Sequence, residues 1–114
     1  MDPQRKENNQ PQIAPPPGLE QLDALLQHRS RLGALVLLSG TEALNFSRLK
    51  GLLDETDGNL GAQLRKLEEA GYIKVKKTFE ERKPVSWYSI APSGQKALKA
   101  HLKALETLIK SAGV

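Results

Sequence analysis

The spacing of apolar residues changes at Gly71 from that of a helix to that of a strand. This change limits the possible folds of the chain more than any other feature. Leucines before Gly71 recur at the three- and four-residue spacing of a helix that buries one face. After it, apolar and polar residues alternate, as in a half-exposed strand. Because glycine commonly ends helices in the left-handed conformation, the chain is predicted to pass directly from a helix into a strand. The residues that carry the change are Leu60, Leu64 and Leu67 on the helix, and Ile73, Val75 and Phe79 on the strand.

A second helix is predicted just ahead of this one, with only a short acidic turn between them. Asn45 is a suitable N-cap for a helix over Phe46–Leu53, and Thr56 is a suitable N-cap for the helix that continues to Ala70. Two helices joined by so few residues are typical of a helix-turn-helix.

The remaining elements complete a small α+β fold. Leucines between Leu19 and Leu38 predict a first helical region that ends at Gly40, and a short extended piece follows over 42–44. The strand after Gly71 is predicted to return over 85–90 through a charged turn at 80–84, before a last helix over about 93–110. The predicted fold class is mainly α with a small β-hairpin (α+β), a winged helix-turn-helix with an additional long C-terminal helix.

Length and composition indicate one domain with an N-terminal arm. The 114 residues suffice for a single core, and residues 1–18, rich in Pro, Gln and Asn, are predicted to be a disordered arm ahead of a domain over 19–114. Cysteine is absent, which excludes disulfides and thiolate metal sites. No apolar run approaches the roughly 18–20 residues of a membrane-spanning helix, and the start does not resemble a signal peptide. We therefore expect a cytoplasmic protein without membrane association.

Charge and the outer face of the second helix favour double-stranded DNA as the partner. The net charge is +4, and from Leu44 onward thirteen Lys and Arg stand against eight Asp and Glu. In a helix-turn-helix the second helix enters the major groove, and Gly58 and Gly61 would permit close approach there. Side-chain amides suit adenine and arginine suits guanine. For this recognition helix, about 56–70, the predicted base contacts are Asn59, Ala62, Gln63 and Arg65.

Basic residues on both helices and on the hairpin are predicted to contact the DNA backbone. The hairpin, about 73–90, would act as a wing on the backbone or in the minor groove, whose negative potential attracts arginine. Glu80 and Glu81 oppose this role and can instead pair with the basic residues at the tip. The alternative for all of these residues is a solvated face of an ordinary amphipathic element. The predicted backbone contacts are Arg48, Lys50, Thr56, Lys66, Lys76, Arg82 and Lys83.

These segments resemble the small winged helix-turn-helix regulators allied to the MarR and ArsR groups. The resemblance rests on Asn45–Lys50, Thr56–Gly61, Leu64–Ile73 and the hairpin over 79–88, and it extends through 90–94. It implies a homodimeric transcription factor whose recognition positions fall at Asn59, Ala62, Gln63, Arg65 and Lys66, with a wing tip around Arg82. One departure is Asp54-Glu55, where the family tends to have a small and then an apolar residue.

The last helix carries an apolar stripe that is wide for so small a domain. If terminal helices pair across a two-fold axis, two recognition helices are placed about 34–36 Å apart, one helical turn of DNA. The alternative is that the stripe covers the core of its own domain. The predicted homodimer interface comprises Leu22, Leu98, Leu102, Leu105 and Ile109.

Catalysis finds little support in the sequence. His28 and His101 lie far apart and in no metal-binding motif, and no Gly-rich phosphate loop or nucleophile elbow is present. No catalytic residue, metal or cofactor is therefore predicted. Nothing indicates a small-molecule effector, although space between the terminal helices and the core would suit a small apolar one. The alternative function is a winged-helix protein–protein adaptor that does not bind DNA.

Overall fold

The structure is a computed structural model that describes residues 12–114. Within these residues the predicted order of helices and strands is confirmed, and with it the α+β class. The elements are a short 3₁₀ helix (Ala24–Gln27), α1 (Arg29–Ser39), β1 (Leu44–Asn45), α2 (Phe46–Leu53), α3 (Asp57–Glu69), β2 (Ile73–Glu80), β3 (Lys83–Ile90) and α4 (Pro92–Ser111).

Most of the predicted arm over 1–18 lies outside the described residues. Its last residue, Gly18, packs against α4 with a φ of +96°, and an added Cβ would lie 2.7 Å from the carbonyl oxygen of Ala104. That backbone conformation and that close approach both favour glycine. The chain therefore contacts the domain from Gly18 onward.

The helix-turn-helix is held by the capping residues that the sequence predicts. The side chain of Asn45 accepts a hydrogen bond from the N–H of Arg48 at 2.8 Å, and that of Thr56 accepts one from the N–H of Asn59 at 3.2 Å. Between the two helices Asp54 adopts a φ of +53° and ends α2 in the left-handed conformation. Aspartate reaches this conformation more readily than most residues, because its short polar side chain can hydrogen-bond locally.

The three strands form one antiparallel sheet in the order β1–β3–β2. β2 and β3 pair without interruption over their whole lengths, and only Glu81 and Arg82 remain to form the turn. The predicted turn over 80–84 is therefore too long. A two-residue turn with positive φ at both positions matches the twist of the strands, which is why pairing continues to the tip. β1 adds to the other edge of β3, with Leu44 opposite Tyr88.

The core is built almost entirely from leucine. α3 contributes Leu60, Leu64 and Leu67, and β2 contributes Ile73 at the base of the hairpin. Side chains from α1, α2 and α4 close the core around them. The buried cluster consists of Leu26, Ala34, Leu35, Leu38, Leu49, Leu53, Leu60, Leu64, Leu67, Ile73 and Leu98.

The first helical region is broken, in contrast to the prediction. The 3₁₀ helix ends at His28, whose Nδ1 accepts a hydrogen bond from the N–H of Ser30 at 3.1 Å and so caps α1. Asp23 caps the 3₁₀ helix in the same way through the N–H of Leu25. Leucine spacing does not reveal the break, because Leu26 is fully buried on the 3₁₀ turn as it would be on an α-helix.

Polar contacts join the N-terminal segment to α4 and to the start of the sheet. The backbone N–H of Asp23 donates to Nδ1 of His101 at 2.9 Å, and the hydroxyl of Tyr72 donates to the Asp23 carboxylate at 2.5 Å. His101 is only 2% exposed. The hydrogen bond to Asp23, burial and the negative charge of Asp23 together raise the pKa of Tyr72 to about 12.

The start of α4 is fixed against the end of α3. The N–H of Ala91 donates to the carbonyl of Tyr72 at 2.9 Å, and the hydroxyl of Ser93 donates to the carbonyl of Gly71 at 2.5 Å. Gly94 faces the same backbone so closely that an added Cβ would overlap the carbonyl oxygen of Tyr72. The left-handed φ of +79° at Gly71 makes the bend possible, as the sequence predicts.

Candidate nucleic-acid interface

The outer face of α3 is open to solvent and has no packing partner in the described chain. An added Cβ at Gly58 or at Gly61 would meet no atom within 4 Å, so neither glycine is required by a neighbour. Gly61, in the helix interior, costs roughly 1 kcal/mol relative to alanine, whereas Gly58 lies in the first turn of α3, outside the range of that cost. A glycine inside α3 without an internal reason favours an external partner that approaches the helix closely. The predicted contacts Asn59, Arg65 and Lys66 are exposed on this helix, and Ala62 is half-buried.

Gln63 does not lie on that face, and its predicted role in base recognition is corrected. Its side chain is buried, with 8% of the residue exposed. Its amide oxygen accepts a hydrogen bond from Nη1 of Arg31, and its Nε2 donates to Oδ1 of Asn59 at 3.3 Å. The spacing explains the error: Gln63 follows Leu60 by three residues and precedes Leu67 by four, and so belongs to the buried stripe.

Glu55, like Gln63, is a polar residue whose side chain is bound within the protein. Its carboxylate accepts hydrogen bonds from the hydroxyl of Ser30 and from Nδ2 of Asn59, the latter at 2.7 Å. Nη1 of Arg29 lies 3.9 Å away. The departure from the family pattern at Glu55 is thus accommodated by α1, and its charge is partly compensated before any DNA approaches.

Asn59 is consequently held from two sides. Glu55 takes one of its two amide protons and Gln63 occupies one lone pair of its oxygen. One donor and one acceptor position remain on the exposed amide. This is the pair that an adenine edge requires, so the protein contacts orient Asn59 without consuming its capacity to bind a base.

A groove of about 250 Å³ separates α3 from the hairpin. Arg65 and Lys77 line opposite walls, and Ser86 and Tyr88 line the sheet side. Burial raises the pKa of Tyr88, the charge of Glu68 raises it further, and the Ser86 hydrogen bond and Arg65 oppose these effects. The Tyr88 hydroxyl therefore stays protonated at neutral pH. Two cations and two hydroxyls are groups that bind phosphate, whereas Glu68, also on the helix wall, disfavours it.

The hairpin places its lysines on two different faces. In the uninterrupted β2–β3 register, Lys76 lies opposite Trp87, and Lys83 lies opposite Glu80, on the face away from the groove. Lys77 lies opposite Ser86, on the groove face. The sequence prediction included Lys76 and overlooked Lys77, although strict alternation from Ile73 already puts Lys77 on the side of α3.

The turn at the hairpin tip is held in an unusual backbone conformation. Glu81 and Arg82 have φ values of +50° and +66°. Asn-Gly or Asp-Gly is preferred in such a turn, because other residues cost of order 1 kcal/mol or more at positive φ. The turn presents the exposed side chain of Arg82 at the end of the molecule furthest along the hairpin, where a wing would meet DNA.

The predicted backbone contacts on the helix-turn-helix are partly engaged within the protein. Lys50 pairs with Asp57 across the turn at 2.9 Å, and the Thr56 hydroxyl is used as the α3 cap. Arg48 is exposed on α2. The Thr56 hydroxyl accepts the cap hydrogen bond and keeps its own proton for a phosphate, so of these three residues Lys50 is the one that would share its charge with a carboxylate.

The predicted dimer residues fall into two groups. Leu98 is 5% exposed and belongs to the core of its own domain, so its assignment to an interface is corrected. Leu102 and Ile109 are 44% and 51% exposed. Leu22 and Leu105 are half-buried and line a pocket of about 320 Å³, together with His28 and His101. By helical spacing positions 98, 102 and 109 lie on the same side of α4, so their different exposures show where contact with the core of the domain ends and do not mark opposite faces of the helix.

Within residues 12–114 no group of three or more His, Asp or Glu side chains is arranged to hold a metal ion. In the same range, no helix is sufficiently long and apolar to span a membrane.

Comparison with known proteins places these features in a family. Residues 30–109 match the family model described as a winged helix DNA-binding domain. The chain belongs to this family. The winged helix domain is also 36% identical over 81 residues to an uncharacterized protein of Methanocaldococcus jannaschii, a match that covers 71% of this chain and 88% of the relative. The predicted family and fold are thereby confirmed.

Solved structures share the same winged helix fold. A transcriptional regulator homologue from Pyrococcus horikoshii superposes with a TM-score of 0.76 at 29% identity, covering 83% of this chain and 95% of that one. MarR has a TM-score of 0.65 at 21% identity, with 76% and 63% covered. ZitR from Lactococcus lactis, solved in complex with DNA, has a TM-score of 0.58 at 17% identity, with 96% and 72% covered.

Proposed function

We propose that this winged helix protein binds double-stranded DNA sequence-specifically as a homodimeric transcriptional regulator. The observation that carries the proposal is that α3 exposes Asn59 and Arg65, while Gly58 on its outer face and Gly61 on its groove side lack any internal packing reason. Membership of a DNA-binding family and the shared fold of the DNA complex of ZitR support the same conclusion.

In this proposal α3 enters the major groove and the hairpin lies on the adjacent backbone or minor groove. Asn59 and Arg65 read base edges, and Ala62 leaves room between them for the DNA. Lys66, Arg48 and Arg82 contact phosphates, together with Lys77 on the groove wall. Thr56 donates its hydroxyl proton while it continues to cap α3, and Lys50 shares its charge with Asp57. Lys76 and Lys83 add general attraction from the far face of the hairpin.

The dimer of the proposal forms through the exposed part of α4 and the N-terminal segment. Leu102 and Ile109 are the large apolar side chains of α4 that are exposed, and Leu19 is exposed to 47%. A two-fold axis would bury the same patch on both copies. Leu102→Glu should give a folded monomer, whereas Ala100→Glu, on an exposed part of the same helix, should leave the dimer intact in sedimentation.

The test is a titration of labelled random-sequence duplex, followed by fluorescence anisotropy from low to moderate salt. A DNA-binding dimer loses affinity steeply with salt, because it releases counterions from each neutralised phosphate. With a site selected from a random library, Arg65→Ala should weaken specific binding more than random binding, and Lys66→Ala should weaken both equally. A folded dimer that binds no duplex at low salt would refute the proposal and favour the protein–protein adaptor.

A further inference from the structure

The aromatic side chain of Phe79 does not pack against the core of the domain. It is 76% exposed near the end of β2 and is absent from the core and from the partly buried shell around it. Among the described residues of the hairpin it is the one large apolar side chain left exposed. Removing so large an apolar surface from water is favourable, so a partner that covers the ring would gain affinity from it.

The position of Phe79 relates it to the candidate interface. Phe79 pairs with Pro84 across the hairpin and lies on the sheet face that carries Lys77 and lines the groove beside α3. Pro84 is also exposed. The two residues form an apolar patch between Lys77 toward the domain and Arg82 at the turn. A cation thus stands on each side of the patch.

The carboxylate of Glu80, the residue next to Phe79, is directed away from this patch. Glu80 lies on the opposite face of the hairpin, where its Oε2 accepts hydrogen bonds from Nε1 of Trp87 at 2.6 Å and from the hydroxyl of Thr78 at 2.9 Å. The charge of Glu80 is therefore fixed on the far face, and Glu81 is the remaining carboxylate of the turn, exposed beside Arg82. The patch keeps Lys77 and Arg82 as its cationic neighbours.

An apolar residue flanked by cations is one arrangement by which proteins enter the DNA minor groove. Phe and Pro are among the residues that wedge against or between base steps there, while arginine beside them follows the negative potential of the groove. We propose that Phe79, supported by Pro84, is the minor-groove wedge of this hairpin and that Arg82 guides it. The inference rests on the proposed DNA-binding function and names the residue that makes its apolar contact.

A charge-neutral contact can be distinguished from a phosphate contact by its salt dependence. Phe79→Ala should weaken binding to an A·T-rich duplex by about tenfold at every salt concentration and leave the slope of log K against log salt unchanged. Arg82→Ala should weaken binding and also lower that slope by about one. Phe79→Tyr, which keeps the ring, should stay within about twofold of the natural protein. Val36→Ala, at a 46% exposed position on α1, is the matched control and should have no effect.

The contact with the DNA minor groove is tested by filling that groove with a small ligand. When the minor groove of the duplex is saturated with netropsin, the difference between the natural protein and Phe79→Ala should disappear. A Phe79→Ala affinity equal to that of Val36→Ala, or an undiminished difference on the filled duplex, would overturn the wedge while leaving DNA binding intact. A loss of the dimer in sedimentation of Phe79→Ala would overturn it in favour of a contact between copies. Absence of binding by the natural protein would instead overturn the proposed function together with the wedge.

Discussion

The two ends of this domain treat polar side chains in opposite ways. On the surface formed by α3 and the hairpin, Asn59, Arg65 and Arg82 are exposed and retain unused hydrogen-bonding capacity. Where α4 meets the N-terminal segment, the side chains are engaged within the protein: His101 accepts a hydrogen bond from the backbone N–H of Asp23, and the Asp23 carboxylate accepts one from the Tyr72 hydroxyl. The contrast teaches that a polar residue in a helical pattern indicates a ligand contact only when it is exposed and its internal partners leave hydrogen-bonding groups unused. The following four predictions challenge or refine this distinction, in order of decreasing effect.

His101 should matter for stability more than any polar residue on the α3 surface. His101→Ala removes a buried ring and leaves the N–H of Asp23 without its acceptor, so the free energy of unfolding should fall by about 2–4 kcal/mol. Urea unfolding measures this, and Lys99→Ala, exposed on the same helix, is the control. If both variants unfold at the same urea concentration, the buried contact does not stabilise the fold and the distinction between the two ends is lost.

The two amides of α3 should separate stability from recognition. Gln63→Ala loses its contact with Arg31 and should lower the free energy of unfolding by about 1–2 kcal/mol, with random-duplex affinity maintained. Asn59→Ala should change stability little and weaken a selected site about tenfold, as expected for loss of a paired base contact. Equal effects of the two variants on specific binding would mean that Gln63 either turns outward on DNA or is required to hold Asn59 in position for the base.

The open glycines of α3 should give opposite signs in two assays. Gly61→Ala should raise the free energy of unfolding by up to about 1 kcal/mol, because alanine is the better helix former and its methyl group meets no neighbour. The same methyl group should weaken DNA binding by limiting close approach. Gly40→Ala, whose methyl group would lie 3.8 Å from the Leu37 carbonyl, controls for glycine replacement elsewhere. Unchanged DNA affinity in Gly61→Ala would remove the principal support for major-groove binding.

Tyr72 should give the smallest effect, confined to alkaline pH. The pKa of Tyr72 is raised to about 12, chiefly by its hydrogen bond to Asp23, so the folded state favours the protonated phenol. The resulting stabilisation is fully present below the ordinary value of about 10 and is lost as the pH rises toward 12. The difference in stability between the natural protein and Tyr72→Phe should therefore shrink over that interval in urea unfolding. A constant difference would show that Asp23 does not depend on the phenolic proton.

Local signals predicted most of the architecture. Asn45, Thr56 and Gly71 each act through their own backbone neighbours, so both helices of the helix-turn-helix and the passage into β2 could be located from sequence. The break at His28 could not, because it depends on side chains that cap the chain where the N-terminal segment crosses α4. The paired strands of the hairpin were predicted to be too short, because Glu81 and Arg82 do not indicate a two-residue turn in the sequence as Asn-Gly would.

The candidate site was predicted in type more successfully than in detail. Glu55 and Gln63 find their partners on α1, which is distant in sequence, and no local pattern reveals Arg31 as one of them. The faces of the hairpin were within reach, because alternation alone assigns Lys77 to the groove and Lys76 to the other side. Leu98 was wrongly assigned to the dimer interface, because a stripe of leucines does not show which of its residues pack into the core of the same domain.

The close approach of Gly94 to the backbone of Tyr72 has a consequence for how this gene can vary. No side chain fits between the first turn of α4 and that carbonyl, so a library of variants selected for folded protein should retain only glycine at position 94. Positions 58 and 61 should accept many residues in the same selection and lose them only when repression or activation of a target promoter is demanded. Tolerance profiles from the two screens would thus separate the glycines that build the molecule from those that serve its partner.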